Sequence, residues 1–151
     1  MRRAGRLAAL ALLATAAVAP PAAPVSLATT WLCFFDTSSA ELSPRCQATI
    51  RDLAELWHRM RRGEVRGWPD EPPMRAYTMP VEVQGHADAA EATAGEAASV
   101  SKARAEAAAA FLRLNGVPME LIKVAPHGAE RPIVPVAGAE PQNRPAEIIA
   151  R

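Results

Sequence analysis

Histidine and cysteine are scarce in this 151-residue chain, with three and two copies, and no apolar run is long enough to cross a bilayer. Only His86 and His127 fall near each other in the order of elements read below, short of the three or four protein ligands of an ordinary zinc site. Metal-dependent hydrolysis through His86, Asp88 and His127 is therefore the weaker expectation, and no cofactor is expected. Cys33 and Cys46 are too far apart for Cys-x-x-Cys redox chemistry. Ser101 has no histidine base or oxyanion loop at a recognisable spacing, so nucleophilic catalysis is not expected either. A concentrated basic surface is also missing. Arg59, Arg61, Arg62 and Arg66 form the one basic run, and Glu64, Asp70 and Glu71 interrupt or follow it, which reads as a solvated loop face rather than a nucleic-acid footprint.

What the chain does have begins with Arg2, Arg3 and Arg6, followed by LAALALLATAAVA at 7–19 and then Pro20, Pro21 and Pro24. That order of charged, apolar and small residues is that of a secretory signal, and the run is shorter than the roughly 20 residues of a membrane span. Small side chains at Ser26 and Ala28 favour cleavage after Ala28 over cleavage after Ala19, which Pro20 would follow, with Ala17 as an alternative site, giving a signal at 1–28 and one domain at 30–151. Leu32 precedes Cys33, so no acylation signal is read there, and no membrane-spanning segment is expected in the mature chain. Cleavage leaves 14 basic against 16 acidic side chains, a formal net charge of −2. An anionic membrane or nucleic acid is then a poor partner.

The run TWLCFF at 30–35 reads as a first strand, and Ser43-Pro44 as the N-cap and first position of a helix whose apolar face carries Cys46, Ile50, Leu53, Leu56 and Trp57. Cys33 shares a strand face with Phe35, and Cys46 shares the helix face with Ile50. In an exported protein a disulfide between them is favoured over two buried thiols. Glycines and prolines then crowd the stretch 62–80, which reads as a long loop with Trp68 and Tyr77 packing down as lids. A second strand follows near 79–86, with Val81 and Val83 alternating against Glu82 and Gln84. Thr93 and Glu96 suggest a capping box for a helix running to Leu114, with Val100, Ala103, Ala107, Ala110, Phe111 and Leu114 as its inward stripe and Asn115-Gly116 as its stop. Strands at 121–125 and 146–150 complete the order strand, helix, strand, helix, strand, strand. The fold class is α+β, a mixed sheet with helices packed on one face.

With these elements placed, the chain resembles the OmpA-like periplasmic domain, a module by which envelope proteins grip peptidoglycan non-covalently. Phe34, Phe35, Asp36 and Leu42 match the opening pattern of that family, and Gly85, His86, Ala87 and Asp88 its G-H-T-D. Ser101, Arg104 and Ala105 match its helix motif, Asn115 to Pro118 its turn, Gly128 the glycine closing its third strand, and Asn143 and Arg144 the start of its last motif. The sequence departs at Ala87, Ala97 and Pro145, and by one extra residue between Asp88 and Arg104.

The resemblance implies that Asp88 and Arg104 hold the ammonium and carboxylate of diaminopimelate in the stem peptide, with Ser101 and Arg144 contributing. A carboxylate suits an ammonium, and a guanidinium grips a carboxylate in a planar fork that lysine cannot reproduce. It implies a non-catalytic binder located in the periplasm, associated with the wall or outer membrane, with peptidoglycan and other envelope proteins as partners. On this reading Arg104→Ala weakens wall binding and leaves stability nearly unchanged. The departures motivate an alternative, a diverged scaffold that contacts proteins without binding the wall.

Overall fold

The computed structural model describes residues 29–65 and 79–150. The expected signal at 1–28, and the part of the expected loop at 66–78 that carries Trp68 and Tyr77, lie outside the described residues. Four strands, β1 (Thr29–Phe34), β2 (Val81–Gly85), β3 (Ile122–Pro126) and β4 (Pro145–Ala150), form one sheet in the order β1-β4-β2-β3. β4 runs antiparallel to both β1 and β2, while β2 and β3 are parallel, so the sheet is mixed. Pro145 opens β4 opposite Phe34, a strand's first position, where a missing N–H is tolerated.

α1 (Pro44–Arg61) starts where the sequence places it. The Ser43 hydroxyl accepts from the Cys46 N–H at 3.2 Å, and Pro44 occupies the first turn. Cys46, Ile50, Leu53, Ala54, Trp57 and Met60 recur at three- and four-residue spacing and are all buried. They close over Cys33 of β1, Val81 and Val83 of β2 and Ala146 and Ile148 of β4 in a single core. The other face of the sheet leaves Leu32 and Phe34 exposed.

Cys33 and Cys46 are joined as a disulfide that ties β1 to the first turn of α1, with Cα atoms 5.0 Å apart. Closing a loop of this length restricts the unfolded chain by about 2–3 kcal/mol in the chain-entropy account. A Cys33→Ala/Cys46→Ala protein should therefore melt well below the oxidised one in non-reducing calorimetry. Equal midpoints would mean that the bond adds nothing.

The expected helix from Thr93 to Leu114 is two helices, α2 (Ala89–Thr93) and α3 (Ala97–Leu114), separated at Gly95, whose φ of +80° suits glycine. The expected capping box at Thr93 and Glu96 does not form, because the Thr93 hydroxyl donates to the Ala89 carbonyl and Glu96 makes no side-chain cap. Asp88 and Glu91 form the box instead. The inward stripe of α3 also differs. Ser101, Arg104, Ala105, Ala108, Ala109 and Leu112 are buried, whereas Leu114 is 81% exposed. The alanines let α3 approach closely, and Gly85 faces the Ser101 carbonyl directly.

Candidate functional site

Asp88 leaves β2 and caps α2. Its Oδ1 accepts from the Glu91 N–H at 2.9 Å, and Glu91 Oε2 accepts from the Asp88 N–H at 3.0 Å, so each residue satisfies the other's backbone donor. The second oxygen, Oδ2, accepts from the Glu140 N–H at 3.0 Å and lies 3.6 Å from Nε of Arg144. Arg144 is 7% exposed, and its Nη1 donates to the Thr37 hydroxyl. It also lines an open cleft of about 440 Å³ together with Phe34, Asp36 and Gln142.

Arg104 is fully buried, and the Phe35 ring centroid lies 5.7 Å from its guanidinium carbon. The guanidinium makes five hydrogen bonds. Nε donates to the Ser39 carbonyl, Nη1 to the His86 carbonyl and Nη2 to the Asp36 carbonyl, at 2.8–2.9 Å. Nη1 and Nη2 also donate to Glu91 Oε2 and Oε1 at 2.9 and 2.6 Å, in the planar fork of a bidentate pair. Glu91 is itself 1% exposed, and its Oε1 accepts a further bond from the Ser38 N–H at 2.8 Å. Ser38 has φ +50°, the one non-glycine residue in the left-handed region among the described residues. Such strain persists only where the surroundings enforce it. Here it aims an N–H at the Glu91 carboxylate.

Asp88 and Arg104 therefore do not bond to each other, and Glu91 stands between them. Ser101 is fully buried, with its hydroxyl donating to the Ala98 carbonyl and accepting from the Gly128 N–H, both at 3.1 Å, which pins α3 to the end of β3. Glu91, Thr37, Ser38 and Glu140 were not singled out from the sequence. For Glu91 a signal was present, since it stands three residues after Asp88 in the spacing of a capping box. The burial of Arg104 overturns the expectation that its loss leaves stability unchanged.

Among the described residues no group of three or more His, Cys, Asp or Glu side chains is placed to hold a metal ion. The His86 and His127 rings are 5.4 Å apart, while the Asp88 carboxylate is engaged by Glu140 and Arg144.

Two buried groups make the fold sensitive to acid. Burial lowers the His86 pKa, a shift that Glu147 opposes and His127 reinforces, while Arg131 acts both ways, its backbone raising the pKa and its charge lowering it. Burial alone would raise the Glu91 pKa, but the Arg104 guanidinium and the N–H groups of Ser38 and Asp88 outweigh it and lower the pKa. In both cases the unfolded chain binds the proton more readily, so the stabilisation is complete above the unfolded pKa and is lost as pH falls through the folded one. Urea midpoints should hold steady above about pH 6.5, decline below it as His86 is forced to charge, and drop again below about pH 4.3 as Glu91 protonates. A flat midpoint from pH 7 to pH 3.5 would contradict this.

The family model for OmpA matches residues 34–145. No curated protein matches the chain. Among solved structures, the chain is similar to the OmpA-like domain of FopA1 from Francisella tularensis, with TM-score 0.63 and 16% identity over 81% of this chain and 71% of that one. It is also similar to the peptidoglycan-associated lipoprotein from Burkholderia pseudomallei, with TM-score 0.61 and 21% identity over 80% and 89%. A third likeness is to the C-terminal domain of Helicobacter pylori MotB, with TM-score 0.60 and 16% identity over 79% and 83%. Among the described residues no helix is long and apolar enough to cross a membrane.

Proposed function

Since the chain belongs to the OmpA family, we propose that it is a non-catalytic domain of the cell envelope, exported to the periplasm, that binds peptidoglycan non-covalently through the diaminopimelate end of the stem peptide. Asp88 and Arg104 are the principal contacts in this reading, with Ser101 and Arg144 beside them. The observation that carries it is the carboxylate seat around Arg104. Four donors, two from the guanidinium and one each from the Ser38 and Asp88 backbones, surround the chain's own Glu91 carboxylate at 2.6–3.0 Å. That is the chemistry needed by the carboxylate of an amino-acid end, and Asp88 alongside supplies a negative charge for its ammonium. Arg144, 3.6 Å from Asp88 Oδ2, also lines the open cleft, which agrees with a contributing role in this reading. The likeness to a protein named for its association with peptidoglycan agrees with this reading.

Retention on purified sacculi tests it with two variants. Asp88→Asn keeps a good N-cap but withdraws the charge, and Arg144→Ala removes the guanidinium at the cleft. Charge-assisted bonds contribute roughly 1.5–3 kcal/mol each, so each variant should bind about tenfold or more weakly at equal concentration of folded protein, a control needed because Arg144→Ala leaves the buried Asp88 carboxylate without its arginine. Retention unchanged in both would remove these residues from the site.

One observation favours the second reading, a scaffold for other envelope proteins that has given up the wall. Every N–H of Arg104 is already satisfied within the chain. An envelope protein that co-purifies with the chain and is lost when 62–80 is deleted, with no retention on sacculi, would establish that alternative.

A further inference from the structure

The carboxylate inside the Arg104 seat belongs to the chain itself. Glu91 reaches the guanidinium from the third position of α2, a helix of five residues, and makes four hydrogen bonds in a space closed to solvent. The bonds are distributed two to each oxygen, as a free carboxylate would require, and the strained Ser38 backbone supplies one of them. The remaining Arg104 donors go to three carbonyls from two separate segments, Asp36 and Ser39 before α1 and His86 after β2. The fork is thus held in place by backbone, independently of what fills it. Capping α2 does not need this arrangement, since a capping box asks only that the Glu91 carboxylate accept from the Asp88 N–H.

We propose that Glu91 is the resident occupant of a preformed carboxylate-binding site built by Arg104, Ser38 and Asp88, and that an outside carboxylate enters by exchange with it. The exchange half rests on the wall-binding reading above; the seat itself does not. Glu91 then sets the affinity. A ligand that meets only the state with Glu91 turned out is bound more weakly in proportion to how rarely that state is populated. Loss of the Glu91 carboxylate should raise apparent affinity for the wall and open the seat to small carboxylates.

The test uses the mature chain, sodium acetate as the probe and sodium chloride at equal ionic strength as the control. Glu91→Ala should melt below wild type, and acetate should raise its midpoint by at least about 3 °C more than chloride does while leaving wild type unmoved. If Glu91→Ala folds poorly, the yield of folded protein should instead rise with acetate and not with chloride. On sacculi, Glu91→Gln, which keeps the side chain's length but not its charge, should reach half-saturation at about a tenth of the wild-type concentration. A Glu91→Ala protein indifferent to acetate in both stability and yield would overturn the seat. Retention of Glu91→Gln no stronger than that of wild type, with wild type bound, would overturn the exchange. An acetate response with no variant and no wild type retained on sacculi would support the seat and defeat the wall reading instead.

Discussion

Arg104→Ala is expected to destabilise the protein by about 3–5 kcal/mol, a large part of the roughly 5–15 kcal/mol by which single domains are stable. The side chain is wholly buried, and its removal strands the Glu91 carboxylate, 1% exposed, with half of its hydrogen bonds gone and no countercharge. The carbonyls of Asp36, Ser39 and His86 lose a donor at the same moment. A buried ion pair is worth little against an apolar replacement of similar volume, yet breaking it from one side is expensive. The double variant Arg104→Met/Glu91→Leu should therefore recover a large part of the loss, despite carrying two substitutions. Urea denaturation of the two single variants and the double one reads the coupling directly. Additive losses would mean that the pair does not act as a unit. Poor binding by Arg104→Ala would on this account report unfolding before it reported recognition.

Gly85→Ala should cost about 3 kcal/mol or more, although it adds one methyl group. A Cβ at Gly85 would stand 1.9 Å from the Ser101 carbonyl oxygen and 3.0 Å from the Ala105 Cβ. The obstacle is backbone, which cannot swing aside as a side-chain tip would. β2 and α3 must separate, and the two elements that meet at this glycine are those that carry the site. His86, next after Gly85, accepts from Arg104 at 2.8 Å, and Arg104 lies one helical turn beyond Ser101. Thermal unfolding should show a large drop in midpoint. A loss below about 1 kcal/mol would mean that the sheet and helix can part without consequence.

How far the sequence reaches can be judged at individual residues. α1 was legible because its cap, its proline and its buried face are all local, and the strands were legible to within a residue or two, β2 from alternation and β1 from its aromatic and apolar run. The disulfide was foreseeable because Cys33 and Cys46 each share a face with an apolar neighbour, Phe35 and Ile50. The inward face of α3 was not legible. Ser101 and Arg104 count as polar in any hydrophobic pattern, so the stripe was drawn through Val100, Phe111 and Leu114 on a neighbouring face. They are buried because their partners arrive from far along the chain, Asp36 and Ser39 for Arg104 and Gly128 for Ser101. Periodicity cannot see such partners. The same limit explains the site. Asp88 and Arg104 were identified as residues of interest by resemblance, but only the fold reveals that Glu91 lies between them and that Arg144 is the arginine beside Asp88.

The central claim is that this domain holds peptidoglycan by the amino-acid end of its stem peptide. The most direct measurement is co-sedimentation of the mature chain with purified sacculi at low salt, titrated with free diaminopimelate-containing stem peptide. The account predicts saturable pelleting that the peptide releases in full. Protein that stays in the supernatant, or that pellets and is not displaced by the peptide, would contradict it.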